Sequence, residues 1–500
     1  MNELQPEKTG YVEILRSTAL IGGSSAITMV FAILRTKAMA VLLGPEGIGL
    51  IGIFNSIADM TQAVAGLGVQ ASGVRQIAEA VGTGDRDKIA RTAFILKRTS
   101  TLLGLIGAVL LAALSFPIGY FTFGDQQQSL SIGLLSAAIF FRLASAGQTA
   151  LLQGLRKISL LAQVNIVTAF FTTATTIPMV FYFNTGGIVP ALVASSAAML
   201  LSSWWFSRRL AGDAPTMSLS HFGQDLKPLI RLGFVFMMSG LLTLVSAYVV
   251  RLIVLQAGGV LSAGLYQAAW ALGSLYSGFI LQAMGTDFYP RLTAISADHN
   301  ACNKLVNEQA RVSMLLAGPG VLATLTFAPL VMWLFYSPEF HAASDLLRWI
   351  CIGMLLRIVS WPMGYIVLAK GAQAIFFWTE VAATLVHIGL AYLLVEYFGI
   401  VGAAVAFCGL YVWHTLAIFL IVRRLTGFRW SSENCKTGAL FFGLSGLIFA
   451  ATLWLPLWQA TVLGSVTVLG GSLHSVSRLI RLLPEEMLPT KIRRWVLKTV

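Results

Sequence analysis

Residues 32–49 read AILRTKAMAVLLGPEGIG. An arginine and a lysine, Arg35 and Lys37, stand inside an apolar run that ends on a Gly-Pro step. On a soluble protein such cations would lie on a solvated helix face, but the surrounding chain removes that default. Of its 500 residues 57% are hydrophobic and only 11% charged, with a mean hydropathy of +0.79; soluble domains average roughly 25% charged residues. The bulk of the chain therefore belongs in lipid. At about 20 residues per crossing and short loops, 500 residues make a polytopic membrane protein of transporter size.

Working outward from residue 32, apolar runs long enough to cross a bilayer fall near 17–43, 48–67, 99–121, 130–151, 161–183, 188–206, 232–256, 261–286, 313–336, 346–369, 375–395, 400–422, 437–455 and 459–477. That map predicts an all-α fold of about 14 transmembrane helices. Pro178, Pro319 and Pro362 fall within spans, where a proline frees a backbone carbonyl.

The distribution of basic residues tests the map. The N-terminus, every second loop and the tail hold 28 of the 34 Lys and Arg, and the intervening loops hold none; Glu46, Asp125, Glu339, Asp345 and Glu396 lie there instead. By the positive-inside rule both termini are cytoplasmic. The same asymmetry accounts for most of the net charge of +13 without a nucleic-acid partner. The first apolar run lacks a small-residue cleavage site, so it is expected to be retained. The four cysteines form no CxxC pair and suggest neither a disulfide framework nor zinc.

Sliding the chain by about 215 residues brings LIRLGF (229–234) onto ILRSTA (14–19), AGLY (263–266) onto IGLI (48–51), FGIVGAAV (398–405) onto GGIVPALV (186–193) and VRRLTG (422–427) onto SRRLAG (207–212). A repeat of six helices re-enters the membrane in the same orientation. The sequence thus predicts two parallel six-helix bundles, 1–212 and 213–430, related by a pseudo-twofold axis along the membrane normal, with two extra helices and a basic tail over 431–500.

Six cations remain in or at the edge of spans: Arg35, Lys37, Arg142, Arg251, Arg348 and Arg357. On the repeat offset Arg35 pairs with Arg251 and Arg142 with Arg357. A mid-span arginine costs about 2.5–3.5 kcal/mol on the insertion scale, so such residues face a watery cavity or a partner. Arg348 and Lys37 lie near helix ends and are expected to snorkel. Asp59 and Glu380 are the acids placed within spans, as counter-charges or coupling groups. A cavity of four arginines and few acids favours an anion, and a lipid phosphate or pyrophosphate suits the guanidinium fork.

Soluble-enzyme motifs do not compete. GIGLIG at 47–52 satisfies GxGxxG but follows a turn out of an apolar helix, where small residues serve helix packing. No GxxxxGK[ST] occurs and the six histidines form no HExxH, so neither cofactor nor metal is expected, and no periplasmic loop is long enough to house an enzyme's chemistry. The segment 68–98 is expected to be two short amphipathic pieces joined by Gly-Thr-Gly-Asp, with an equivalent at 290–311.

RTKAMAVLLGPEGIGLIGIF (35–54) resembles the first-hairpin signature of O-antigen translocases, the lipid-linked oligosaccharide flippases in the polysaccharide-transporter branch of the multidrug/oligosaccharidyl-lipid/polysaccharide exporter superfamily. GYIVLAKGAQAIFFWTEV (364–381) is similar to that family's tenth-to-eleventh helix junction. The resemblance covers roughly residues 10–427. It implies a non-enzymatic flippase of the bacterial inner membrane that moves an undecaprenyl-pyrophosphate-linked glycan of O-antigen or lipopolysaccharide biosynthesis by alternating access. Membrane lipids, a polysaccharide polymerase and a chain-length regulator are the implied partners. Arg35 matches the arginine of the signature; Arg251, Arg142 and Arg357 complete the cationic set expected to bind the substrate. The extra pair of helices departs from the twelve spans common in the branch. Fourteen occur in lipid II flippases of the same superfamily, which stay open as an alternative, as does a multidrug exporter.

Overall fold

The computed structural model describes residues 5–124, 127–208, 210, 219–284 and 288–482. The expected 212/213 boundary, Asp125 and most of the basic tail lie outside them. The chain is an all-α, multi-pass membrane protein, and among the described residues there is no strand.

Among the described residues nine helical stretches are long and apolar enough to cross a membrane. Three of them hold two crossings each. Gly23–Gly66, 44 residues long, belongs to α1 (Gln5–Gly66) and is broken at Gly44; Gly240–Leu275, 36 residues long, belongs to α8 (Leu219–Ala283) and is broken at Gly259. Ile158–Ser207 joins α6 (Ile158–Phe183) to α7 (Ile188–Ser207) through a short 3-10 turn. A further crossing consists of α10 (His299–Thr326) and α11 (Ala328–Phe335), bent by 84°. With α16 (Leu457–Leu482), the helical segments fill the fourteen positions of the sequence map.

The Gly-Pro step makes a tighter turn than the sequence suggests. Only Gly44 leaves helical geometry, at φ 63° and ψ −169°, and the helix resumes at Pro45. A side chain rarely tolerates that conformation, while proline at a first helical position gives up an N–H that has no partner anyway. Gly259 adopts the same geometry, φ 71° and ψ −174°. Positive φ recurs at the same 215-residue spacing at Arg156 and Gly371 (54° and 70°) and at Asn184 and Gly399 (49° and 59°). The internal repeat is therefore written into the turns.

Contacts divide the chain into two compact units, Met1–Leu252 and Ile253–Val500. In the first, α5 (Ser129–Gly154) packs on α3 (Arg86–Ala113) and α7, and α6 packs on α1 and α7. In the second, α12 (Ala343–Ala369) packs in the same way on α10 and α14 (Ile400–Thr426), and α13 (Gln373–Phe398) packs on α14. Close approach on α5 comes from the run LASAGQTALL at 143–152, every residue of which is buried. Small residues let the backbones meet: a Cβ on Gly147 would lie 2.6 Å from the Ser100 hydroxyl. The extra helices, α15 (Ser432–Trp454) and α16, pack on α10 within the second unit. There Arg311 bonds Glu433 at 3.0 Å, and Gly318 leaves room for the ring of Phe441.

Two expectations need correction. The segment 68–98 is not two short pieces: α2 (Val69–Thr83) is short, but α3 starts at Arg86 and runs on into the membrane. Asp85 sets that start by accepting hydrogen bonds from the Asp87 and Lys88 amides, and Asp298 does the same for Asn300 and Ala301 at the start of α10. The third and ninth spans are broken, at Leu114 between α3 and α4 (Ser115–Phe123) and at Phe327 between α10 and α11.

Candidate functional site

Arg142 stands just ahead of the buried block of α5. Its Nη1 donates to Asp59 Oδ1 at 2.8 Å and its Nη2 to Asn55 Oδ1 at 3.1 Å. Asn55 and Asp59 are one turn apart on the second limb of α1 and so share a face. The arginine side chain is 18% exposed and the aspartate 52%. Asp59 lines a cavity of about 680 Å³ in the first unit. Arg251, on α8, donates to the Ser56 hydroxyl beside Asn55. Asp59 was legible in the sequence as a lone intramembrane acid, and Asn55 could have been found as a polar residue four positions before it; Ser56 carried no signal.

Arg35 sits elsewhere in the same unit. It lines a pocket of about 470 Å³ among α1, α6 and α7, with Ser25, Thr28, Asn165, Thr168 and Thr172. Among the described residues no acid lines this pocket and no side chain pairs with the guanidinium. The buried Thr168 hydroxyl also has no hydrogen-bond partner among the described residues. A cation among hydroxyls and an amide, with no counter-charge among the described residues, has the chemistry that suits an anion.

The second unit treats its mid-span arginine differently. The guanidinium carbon of Arg357 lies 4.8 Å from the Trp361 ring and 5.7 Å from the Tyr411 ring. Trp361 follows Arg357 by one turn of α12, and Tyr411 reaches in from α14. Glu380 on α13 and His414 on α14 are close enough to interact with it electrostatically. Its Nε is buried with no hydrogen-bond partner among the described residues. Aromatic faces thus hold the cation where the first unit uses a carboxylate.

The structure therefore bonds Arg142 to Asp59, leaves Glu380 within electrostatic reach of Arg357 without a hydrogen bond to it, and gives Arg35 a pocket separate from Asp59. Arg348 does not snorkel. At 6% exposure it is buried, bonded to Asp345 at 2.7 Å and to the Leu325 carbonyl at 3.3 Å. The break at Phe327 ends α10 and leaves such carbonyls without helical partners, and the guanidinium satisfies one of them. Lys37 is half-buried. In GIGLIG, Gly47 packs against Leu43, whose Cβ would be 2.2 Å from an added methyl, in keeping with a packing role. Among the described residues no three His, Cys, Asp or Glu side chains gather as metal ligands would.

Paired helical units with embedded arginines define the class, a multi-pass all-α membrane fold. Solved structures share it. An inward-facing multidrug resistance MATE family transporter of the MOP superfamily matches with a TM-score of 0.68 at 18% identity, covering 80% of this chain and 94% of that one. The lipid II flippase MurJ, in an inward closed conformation, matches with a TM-score of 0.67 at 15% identity, covering 92% and 99%. A MOP superfamily transporter from Pyrococcus furiosus, described as having a binding pocket of reverse polarity, matches with a TM-score of 0.58 at 19% identity, covering 83% and 95%.

The chain belongs to the polysaccharide biosynthesis protein family, whose model matches residues 38–345. The lipid III flippases of Escherichia coli (strain K12) and Shigella flexneri are each 24% identical to it over 164 residues, 32% of this chain. That match spans 39% of the length of those relatives.

Proposed function

We propose that this protein is a flippase for an undecaprenyl-pyrophosphate-linked oligosaccharide, an O-antigen or related repeat unit, which it moves by alternating access across the bacterial inner membrane from the cytoplasmic to the periplasmic leaflet. The observation that carries the reading is Arg35, an intramembrane cation in a hydroxyl-lined pocket with no acid among its described lining residues. Family membership and the partial likeness to lipid III flippases support a lipid-linked glycan as the cargo. In this proposal Arg35, Arg142, Arg251 and Arg357 take turns with the anionic headgroup, Asp59 and Glu380 act as counter-charges or coupling groups, and residues 1–212 and 213–430 are the two repeated bundles. Both termini are cytoplasmic, and a polymerase and a chain-length regulator act on the delivered glycan.

The test is export of surface polysaccharide in cells whose own copy is deleted. Arg35→Ala should abolish export at a normal membrane protein level, and Arg35→Lys should restore only part of it, since lysine keeps the charge without the fork. Normal export by Arg35→Ala would remove the central support. Fourteen helical segments favour a second reading, a lipid II flippase. Rescue of a strain depleted of its own lipid II flippase would replace the O-antigen reading with that one. A multidrug exporter, whose cargo is cationic, is disfavoured by the arginines.

A further inference from the structure

Two of the cavities in the first unit differ in chemistry. Among the described residues Arg35 is the only charged one that lines the first, and Asp59 the only charged one that lines the second. The Asp59 cavity, about 680 Å³, also carries Gln62, Gln70, Gln153 and Ser100. Its volume falls within the roughly 300–1,000 Å³ usual for small-ligand sites.

The glutamines are the informative residues. None of the three amides has a hydrogen-bond partner among the described residues; Gln70 and Gln153 are exposed and open to cargo, and Gln62 is half-buried. A fourth glutamine supplies the contrast: Gln148, on the same helix as Gln153, is buried and accepts a hydrogen bond from the Ser203 hydroxyl at 2.6 Å. Where the fold uses a glutamine for its own packing, it satisfies it. Gln62 lies on a membrane-crossing limb, where an amide without a partner is costly, so its polar atoms are there for water or for cargo.

We infer that Gln62, Gln70 and Gln153, with Asp59, form a recognition site for the neutral, hydroxyl-rich part of the cargo, its glycan, apart from the arginine pocket that takes the anion. An amide offers both a donor and an acceptor, and a carboxylate accepts from hydroxyls, so together they match vicinal diols and acetamido groups. They offer nothing selective to a phosphate. This inference rests on the flippase reading and adds to it which residues read the sugar.

The experiment uses the full chain in lipid nanodiscs and two probes, bare undecaprenyl pyrophosphate and the lipid-linked oligosaccharide pool extracted from the source cells. The wild type should bind the glycan-bearing probe at least about tenfold tighter than the bare one, the yield of one or two hydrogen bonds. The triple variant Gln62→Ala/Gln70→Ala/Gln153→Ala should lose that preference. Gln148→Ala, which removes the Ser203 bond instead, should keep it. Gln62→Met, nearly the same size, gives a second reading that does not depend on the triple variant's folding, and its preference should fall severalfold. An undiminished preference in the triple variant or in Gln62→Met overturns the inference. So does a wild type that binds both probes equally, which leaves the flippase reading standing; a wild type that binds neither overturns both.

Discussion

Arg142 reaches across 83 residues of sequence to bond Asp59 at 2.8 Å, tying α5 to the second limb of α1 at the wall of the larger cavity. An exposed carboxylate bonded to a half-hidden guanidinium can be a static strut or a pair that opens for cargo, and mutation separates the two. Arg142→Ala and Asp59→Asn should each lower the thermal stability of the purified protein modestly, by about 1 kcal/mol, as expected for a pair open to solvent on one side. The charge swap Asp59→Arg/Arg142→Asp should recover that stability and still fail to export polysaccharide. Recovery of export by the swap would reduce the pair to a strut.

In the second unit the aromatic clamp makes a different prediction. Arg357 is held by the faces of Trp361 and Tyr411, and a planar cation stacks on them where an ammonium does not. Arg357→Lys should therefore behave almost as badly in export as Arg357→Ala. Trp361→Phe should retain most activity and Trp361→Ala should lose about tenfold, in line with a buried cation–π contact of about 1–2 kcal/mol. Equal export by Arg357→Lys and wild type would show that charge alone matters there.

Two glycines at the repeat spacing face the same constraint. A Cβ on Gly187 would lie 2.4 Å from the Met179 carbonyl oxygen, and one on Gly402 2.0 Å from that of Leu394. Backbone carbonyls cannot swing aside as side chains do. Gly187→Ala and Gly402→Ala should each destabilise the purified protein by about 1–3 kcal/mol, the usual cost of overpacking. Melting curves of the two variants should shift by similar amounts; an unshifted pair would mean that the helix ends relax freely.

The spans were legible because a bilayer imposes length and apolarity on each crossing, and the repeat was legible because Gly44 and Gly259, like Arg142 and Arg357, keep their spacing. Even the local detail repeats, since Ser145 and Ser360 each bond back to the carbonyl of the arginine three residues earlier at 3.0 Å. What the sequence could not supply was pairing across helices. Nothing local ties Asp59 to Arg142, Trp361 and Tyr411 to one cation, or Arg348 to the Leu325 carbonyl. The glutamines were missed because an amide has the same letter whether it packs, like Gln148, or faces a cavity, like Gln62. The breaks at Leu114 and Phe327 escaped because hydropathy continues unchanged through them.

The matched caps give a local test of the repeat. Asp85 and Asp298 each accept two backbone amide hydrogens at the start of a membrane-entering helix. Asp85→Ala and Asp298→Ala should each cost about 1 kcal/mol, and the Asn variants should cost little, because asparagine caps as well. The measurable consequence is faster trypsin cleavage at Arg86 and Lys88 in the first variant and at Lys304 in the second. Unchanged cleavage would mean that packing alone holds those helix starts.

Sidedness can be read from one native residue. Cys435 is exposed near the start of α15, while Cys302, Cys351 and Cys408 are buried. It lies between Arg429 and Lys436, in a segment that the positive-inside rule assigns to the cytoplasm. A membrane-impermeant maleimide should therefore leave intact spheroplasts unlabelled and label inside-out vesicles, and Cys435→Ser should erase the signal. Labelling of spheroplasts at Cys435 would invert the orientation, and with it the direction in which the proposed cargo enters.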